Sequence, residues 1–74
     1  MSDFLAALDA YVKAARALCE QPSIQTAVAF WTAKQSIREA RCGIRWDAVL
    51  SLLREQYGPG ISNMLGRAAW LSSR

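Results

Sequence analysis

The sequence predicts an all-α protein, a compact four-helix bundle made by a single domain over residues 1–74. Three observations lead there. Apolar side chains recur every three or four residues in four successive stretches, which is the spacing of a helical face. Pro22, Gly43 and Gly58-Pro59-Gly60 punctuate those stretches where helices would end. No stretch alternates apolar with polar residues as a half-buried strand does. A composition of 53% apolar and 20% charged residues belongs to chains that fold, while 74 residues supply one small core. Burial against a second copy or a partner would supplement such a core.

The first helix is expected over about 3–21. Phe4, Leu8, Tyr11, Ala15 and Leu18 form one broad stripe, flanked by Leu5, Val12 and Cys19. Ser2 or Asp3 is suited to cap its start, and nothing before Pro22 interrupts it. The regular four-three spacing also fits a pairing seam, so a homodimer through helix one is an expectation. Pro22 stops this helix and Ser23 caps the next, expected over 23–42. There Ile24, Ala27, Val28 and Trp31 define one face and Phe30, Ala33, Ile37 and Ala40 another. So wide an apolar surface predicts a central helix that touches helix one with its first half and the later helices with its second.

Gly43 stands where a left-handed residue ends the second helix, with Arg38 and Arg41 in the final turn. The third helix, about 45–57, carries Trp46, Val49, Leu50, Leu53 and Tyr57 at helical spacing, with Leu52 beside them, and Gly58-Pro59-Gly60 forbids its continuation. Ser62 can cap the fourth, about 62–72. Its inward residues would be Ile61, Met64, Leu65, Ala68 and Leu71, leaving Asn63, Gly66, Arg67 and Trp70 outside. The tail Ser72-Ser73-Arg74 is expected to fray.

Absences narrow the chemistry. Without histidine, and with Cys19 and Cys42 far apart in sequence, the chain offers no histidine acid/base site, no zinc cluster and no CxxC redox pair. Asp47 and Glu55 are too far apart on one helix to act as an acid pair, and Ser51 and Ser62 lack a basic partner. The expectation is a non-enzyme without cofactor or metal, with both cysteines as buried free thiols. Apolar runs such as Ala27–Trp31 are far shorter than the ~20 residues that cross a bilayer, and Met1-Ser2-Asp3 does not open a secretory signal. A cytoplasmic protein with no membrane partner is therefore expected.

Charge is unevenly placed. Residues 1–37 balance three cations against three carboxylates, whereas residues 38–74 set six arginines against three carboxylates and so hold the whole net charge of +3. Arginine's planar fork pairs two oxygens of a phosphate or carboxylate, which makes this half the candidate for meeting nucleic acid or an acidic partner.

From Ser36 to Arg67 the chain reads as a helix, a stop at Gly43, Ile44 with Trp46 two residues on, a helix, the Gly58-Pro59-Gly60 turn, and Ile61-Ser62 opening another helix. Over roughly residues 36–71 this cadence resembles the tri-helical helix-turn-helix domains of small regulators carried by plasmids, phages and integrative elements. The resemblance implies a DNA-binding transcriptional regulator. Trp46–Tyr57 would cross the phosphate backbone and Ser62–Leu71 would enter the major groove of double-stranded DNA. Ser62, Asn63 and Arg67 would then face the bases, Asn pairing with adenine and Arg with guanine, while Arg45 and Arg54 lie near phosphates.

A second expectation comes from residue types alone. Three tryptophans in 74 residues, with Met and Arg nearby, match the enrichment of interface hot spots. A protein-binding anti-activator or adaptor would use Trp31, Trp70 and Met64 against a regulatory protein. Trp46 keeps step with Val49, Leu50 and Leu53 and is expected in the core; Trp70 falls off the inward stripe and is expected partly exposed.

Overall fold

The computed structural model describes residues 2–40 and 43–73, which form four α-helices: α1 (Ser2–Glu20), α2 (Ile24–Ala40), α3 (Trp46–Tyr57) and α4 (Ile61–Ser72). The all-α four-helix bundle is thus observed, with no strand among the described residues. The caps expected of Ser2 and Asp3, and the places of Arg41, Cys42 and Arg74, lie outside what is described. Gly43 has φ +85° and Gly58 φ +93°, conformations that favour glycine, so both turns depend on the residue the sequence supplies there.

The core is built on α1. Leu8, Tyr11, Val12, Ala15 and Leu18 are all buried, and α1 packs along α2 and α4. Phe30, Ala33 and Ile37 enter from α2, Val49 and Leu53 from α3, and Ile61, Leu65 and Ala68 from α4. Met64 and Leu71 are half-buried against this cluster, as are Trp46 and Leu50. Two expectations change here. The central helix is α1, because its stripe is the longest unbroken apolar surface and serves two neighbours at once. For the same reason that stripe is consumed within one chain, and it is not available as a seam for a second copy.

A third change concerns α2. Its Phe30, Ala33 and Ile37 face is buried as expected, but Ile24, Val28 and Trp31 are 84%, 57% and 61% exposed. Two faces nearly opposite on one helix need a neighbour on each side, and the bundle provides one. Ala27, at the edge of that face, is half-buried.

Aromatic contacts fix the helices relative to one another. The Tyr11 ring stacks on Phe30 with centroids 5.2 Å apart and meets Trp46 edge-on at 6.1 Å, so one side chain of α1 touches α2 and α3. Lys34 Nζ lies 5.7 Å from the centre of the Trp46 ring, adding a cation–π contact between α2 and α3. At the other end of α3, the Tyr57 hydroxyl donates to Asp9 Oδ1 at 3.3 Å. Lys13 Nζ, 3.0 Å from Asp9 Oδ2, holds that carboxyl below its ordinary range, assisted by Tyr57.

Local bonds set the helix ends. The Thr26 amide donates to Ser23 Oγ at 3.1 Å and the Ser23 amide to Thr26 Oγ1 at 2.9 Å, a reciprocal cap at the start of α2 where the sequence places Ser23. Ser62 does not cap α4. That helix begins one residue earlier, at Ile61, after Gly60 as N-cap with no side-chain capping bond. The Gly58 turn lets the Ile61 amide donate to the Gly58 carbonyl at 3.2 Å, and burial of Ile61 anchors the first turn. Arg45 likewise caps α3 from an extended conformation without a side-chain bond, one residue outside the expected helix. At the carboxyl end, Ser72 Oγ donates to the Ala69 carbonyl at 2.9 Å and Ser73 Oγ to the Trp70 carbonyl at 3.1 Å.

Neighbouring residues of α2 should respond oppositely to truncation. Phe30→Ala removes a side chain that is 2% exposed and should cost about 3–5 kcal/mol, comparable to the whole stability of so small a domain, so circular dichroism at 25 °C should show an unfolded chain. Trp31→Ala at low protein concentration should shift the urea midpoint by no more than about 0.5 kcal/mol equivalent. A second expectation follows from Tyr11, whose hydroxyl is pushed above its ordinary value of 10.0 by burial, against a smaller opposing pull from Arg38. Its neutral form is the one the fold retains, so this contribution is complete below pH 10 and declines as pH rises through the folded-state value. Tyr11→Phe should flatten the alkaline fall of the urea midpoint, leaving the part due to Tyr57, whose hydroxyl is also raised by desolvation and by Asp9.

Candidate functional site

The candidate surface is carried by α3, the Gly58-Pro59-Gly60 turn and α4. Burial of Ile61, Leu65 and Ala68 fixes the rotation of α4, and the 100° step of a helix then turns Asn63, Arg67 and Trp70 to the opposite side, where all three are exposed. Asn63 and Arg67 stand one turn apart, and Trp70 follows Arg67 by three residues. Residues proposed for two different kinds of partner thus share one face. The amide end of α4 carries no side-chain cap; the Ile61 amide donates to the Gly58 carbonyl and the Met64 amide to the Gly60 carbonyl.

Ser62 goes elsewhere. It shares a side of α4 with Gly66 and Ala69, and these line a crevice of about 230 Å³ with Lys34, Trp46 and Leu50. Ser62 is therefore set about 100° away from Asn63, at the flank of the outward face, and does not stand in line with it. Gly66 lies between the two sides, and a Cβ added there would meet nothing within 4 Å. The backbone of α4 is open to close approach along this edge.

The arginines expected near phosphates are both on the surface. Arg45 Nη2 lies 3.9 Å from Asp47 Oδ2, with both side chains almost fully exposed. Such a pair is weak, and water or an incoming phosphate can replace it. Asp47 nevertheless reduces the positive field at the start of α3. Arg54, in the last turn of α3, is exposed and lies beside the turn that leads into α4. Arg67, on α4, is likewise exposed.

The residues expected at an apolar interface divide as well. Trp31 and Trp70 are each 61% exposed. Met64 is half-buried against the core, and its carbonyl oxygen lies 3.6 Å from the Cys19 thiol. Cys19 is a free, half-buried thiol rather than a fully buried one. The apolar surface that sequence reasoning assigned to packing is Ile24 and Val28, which continue from Trp31 along α2. The signal available in the sequence was the second apolar face of α2, on the side away from Phe30.

No helix among the described residues is long and apolar enough to cross a membrane.

Capping chemistry separates Ser23 from Ser62. Ser23→Ala should lower stability by about 1 kcal/mol in thermal unfolding, because the Thr26 amide loses its acceptor. Ser62→Ala should stay within about 0.5 kcal/mol, since α4 begins without it. Comparison with protein-family models, with curated proteins and with solved structures finds no match to this chain.

Proposed function

We propose that this chain is a small DNA-binding regulator of transcription that presents α4 to the major groove and α3 to the phosphate backbone. The observation that carries the proposal is the outward face of α4. Asn63 and Arg67 stand one turn apart and exposed, on the second helix of a pair joined by the Gly58-Pro59-Gly60 turn. Their chemistry suits base edges: an amide that donates to and accepts from adenine, and a guanidinium that donates twice to guanine. Arg54, beside the turn, and Arg45, after release from Asp47, would contact phosphates and set the register without reading sequence. Ser62 has no base-reading role in this arrangement. Trp70, at the carboxyl end of α4, would lie toward the groove's edge, because groove readers use the amino-terminal part of the helix.

A second function is favoured by one specific observation, the 61% exposure of both Trp31 and Trp70. Inhibition of a regulatory protein through an apolar surface would use these two rings and would not require Arg67.

Fluorescence anisotropy with mixed-sequence duplex DNA, titrated from low to physiological salt, decides between them. Contacts to two or three phosphates predict a log-log slope of about −2 to −3. Arg67→Ala should weaken binding to a selected site about tenfold or more, and Trp70→Ala about twofold or less. Absence of binding at low salt would overturn the DNA proposal, and salt-insensitive capture of a regulatory protein that depends on Trp31 or Trp70 would support the second.

A further inference from the structure

α2 has two working faces and the bundle covers one. On the other, Ile24, Val28 and Trp31 follow at i, i+4 and i+7, within about 60° of one another around the helix axis. They are 84%, 57% and 61% exposed. From Ile24 to Ala33 α2 carries no charged residue, and the first charge beyond, Lys34, is turned toward the ring of Trp46. Beside the stripe lies a depression of about 280 Å³ walled by Ile24, Ala27, Val28, Trp31 and Ser72, the last from the carboxyl end of α4.

We propose that this face of α2 pairs the chain with a second copy of itself, helix against helix and antiparallel about a two-fold axis. The pattern is close to its own reverse. With Val28 of each chain near the axis, Trp31 of one chain lies over Ile24 of its partner, and the same contact forms again on the other side. Each indole then enters the depression of the facing copy. An uncharged face meets its own image without like-charge repulsion, whereas a charged partner would find no counter-ion on it.

The area is consistent with a reversible dimer. The exposed fractions of the three side chains correspond to on the order of 400 Å² per chain. Doubled across the axis and widened by the rim, this reaches about 1,000 Å², the lower end of specific interfaces. The contact leaves the outward face of α4 uncovered, so it stands or falls independently of DNA binding. It also differs from a seam through α1, whose stripe is buried within each chain.

Sedimentation equilibrium on the full chain, from about 1 μM to about 500 μM, tests this. The mass should rise from 8.2 kDa to twice that value, with a dissociation constant on the order of 10 μM. Val28→Asp sets two carboxylates against each other at the axis and should weaken association at least about tenfold with unchanged far-ultraviolet dichroism. If Val28→Asp disturbs the fold, Ile24→Lys serves instead, because that side chain is 84% exposed and does not enter the core. A mass of 8.2 kDa at every concentration overturns the proposal, as does a dimer that a folded Val28→Asp or Ile24→Lys chain forms equally well.

Discussion

The arrangement depends on one ring. Tyr11 is stacked on Phe30 and met edge-on by Trp46, so three helices converge on a single side chain of α1. Aromatic pairs of this kind contribute about 0.5–1.5 kcal/mol each beyond the area they bury, a large share of the stability of a domain this small. More than stability is at stake. α3 is pinned to α1 at both ends, at Trp46 through Tyr11 and at Tyr57 through Asp9, and those two anchor points on α1 lie less than a turn apart. α3 meets α1 through these side chains, while α4 packs on both α1 and α3. The placement of α3 and α4 thus also rests on contacts with α1.

A chain of this size divides its apolar residues among few surfaces. α1 commits most of its stripe inward, α4 commits one side but leaves Trp70 out, and α2 has the largest exposed apolar face. The polar surface is correspondingly sparse: the outward side of α4 holds Asn63 and Arg67 and ends in Trp70. Such economy explains why one helix face can contain residue types suited to two classes of partner. Two exposed cations, Arg54 on α3 and Arg67 on α4, belong to the same half of the chain.

Much of the fold was legible because local signals and burial agree. Pro22 with Ser23, and Gly58 with the residues after it, mark turns that any packing would need, and the 3.6-residue period assigns Leu8, Phe30, Val49 and Leu65 to the inside. The sides of Asn63, Arg67 and Trp70 follow from the same period. What periodicity lacks is the number of neighbours. It shows that Ile24, Val28 and Trp31 form a face, but whether another helix reaches that face depends on the lengths and angles of all four. The Tyr57–Asp9 bond joins residues 48 positions apart and has no local signature. Ser62 was misassigned as a cap because a serine near a glycine turn satisfies the local rule, while burial of Ile61 moved the helix start one residue earlier.

The three tryptophans occupy three different settings, and this gives the molecule a built-in optical record of its own states. Trp46 is wedged between Tyr11 and the Lys34 ammonium, so its emission reports the integrity of the bundle. Trp31 projects from the free face of α2 and Trp70 from the outer face of α4. Chains that keep one indole and carry phenylalanine at the other two positions would therefore separate folding, self-association and ligand contact into distinct spectral channels, with no label attached.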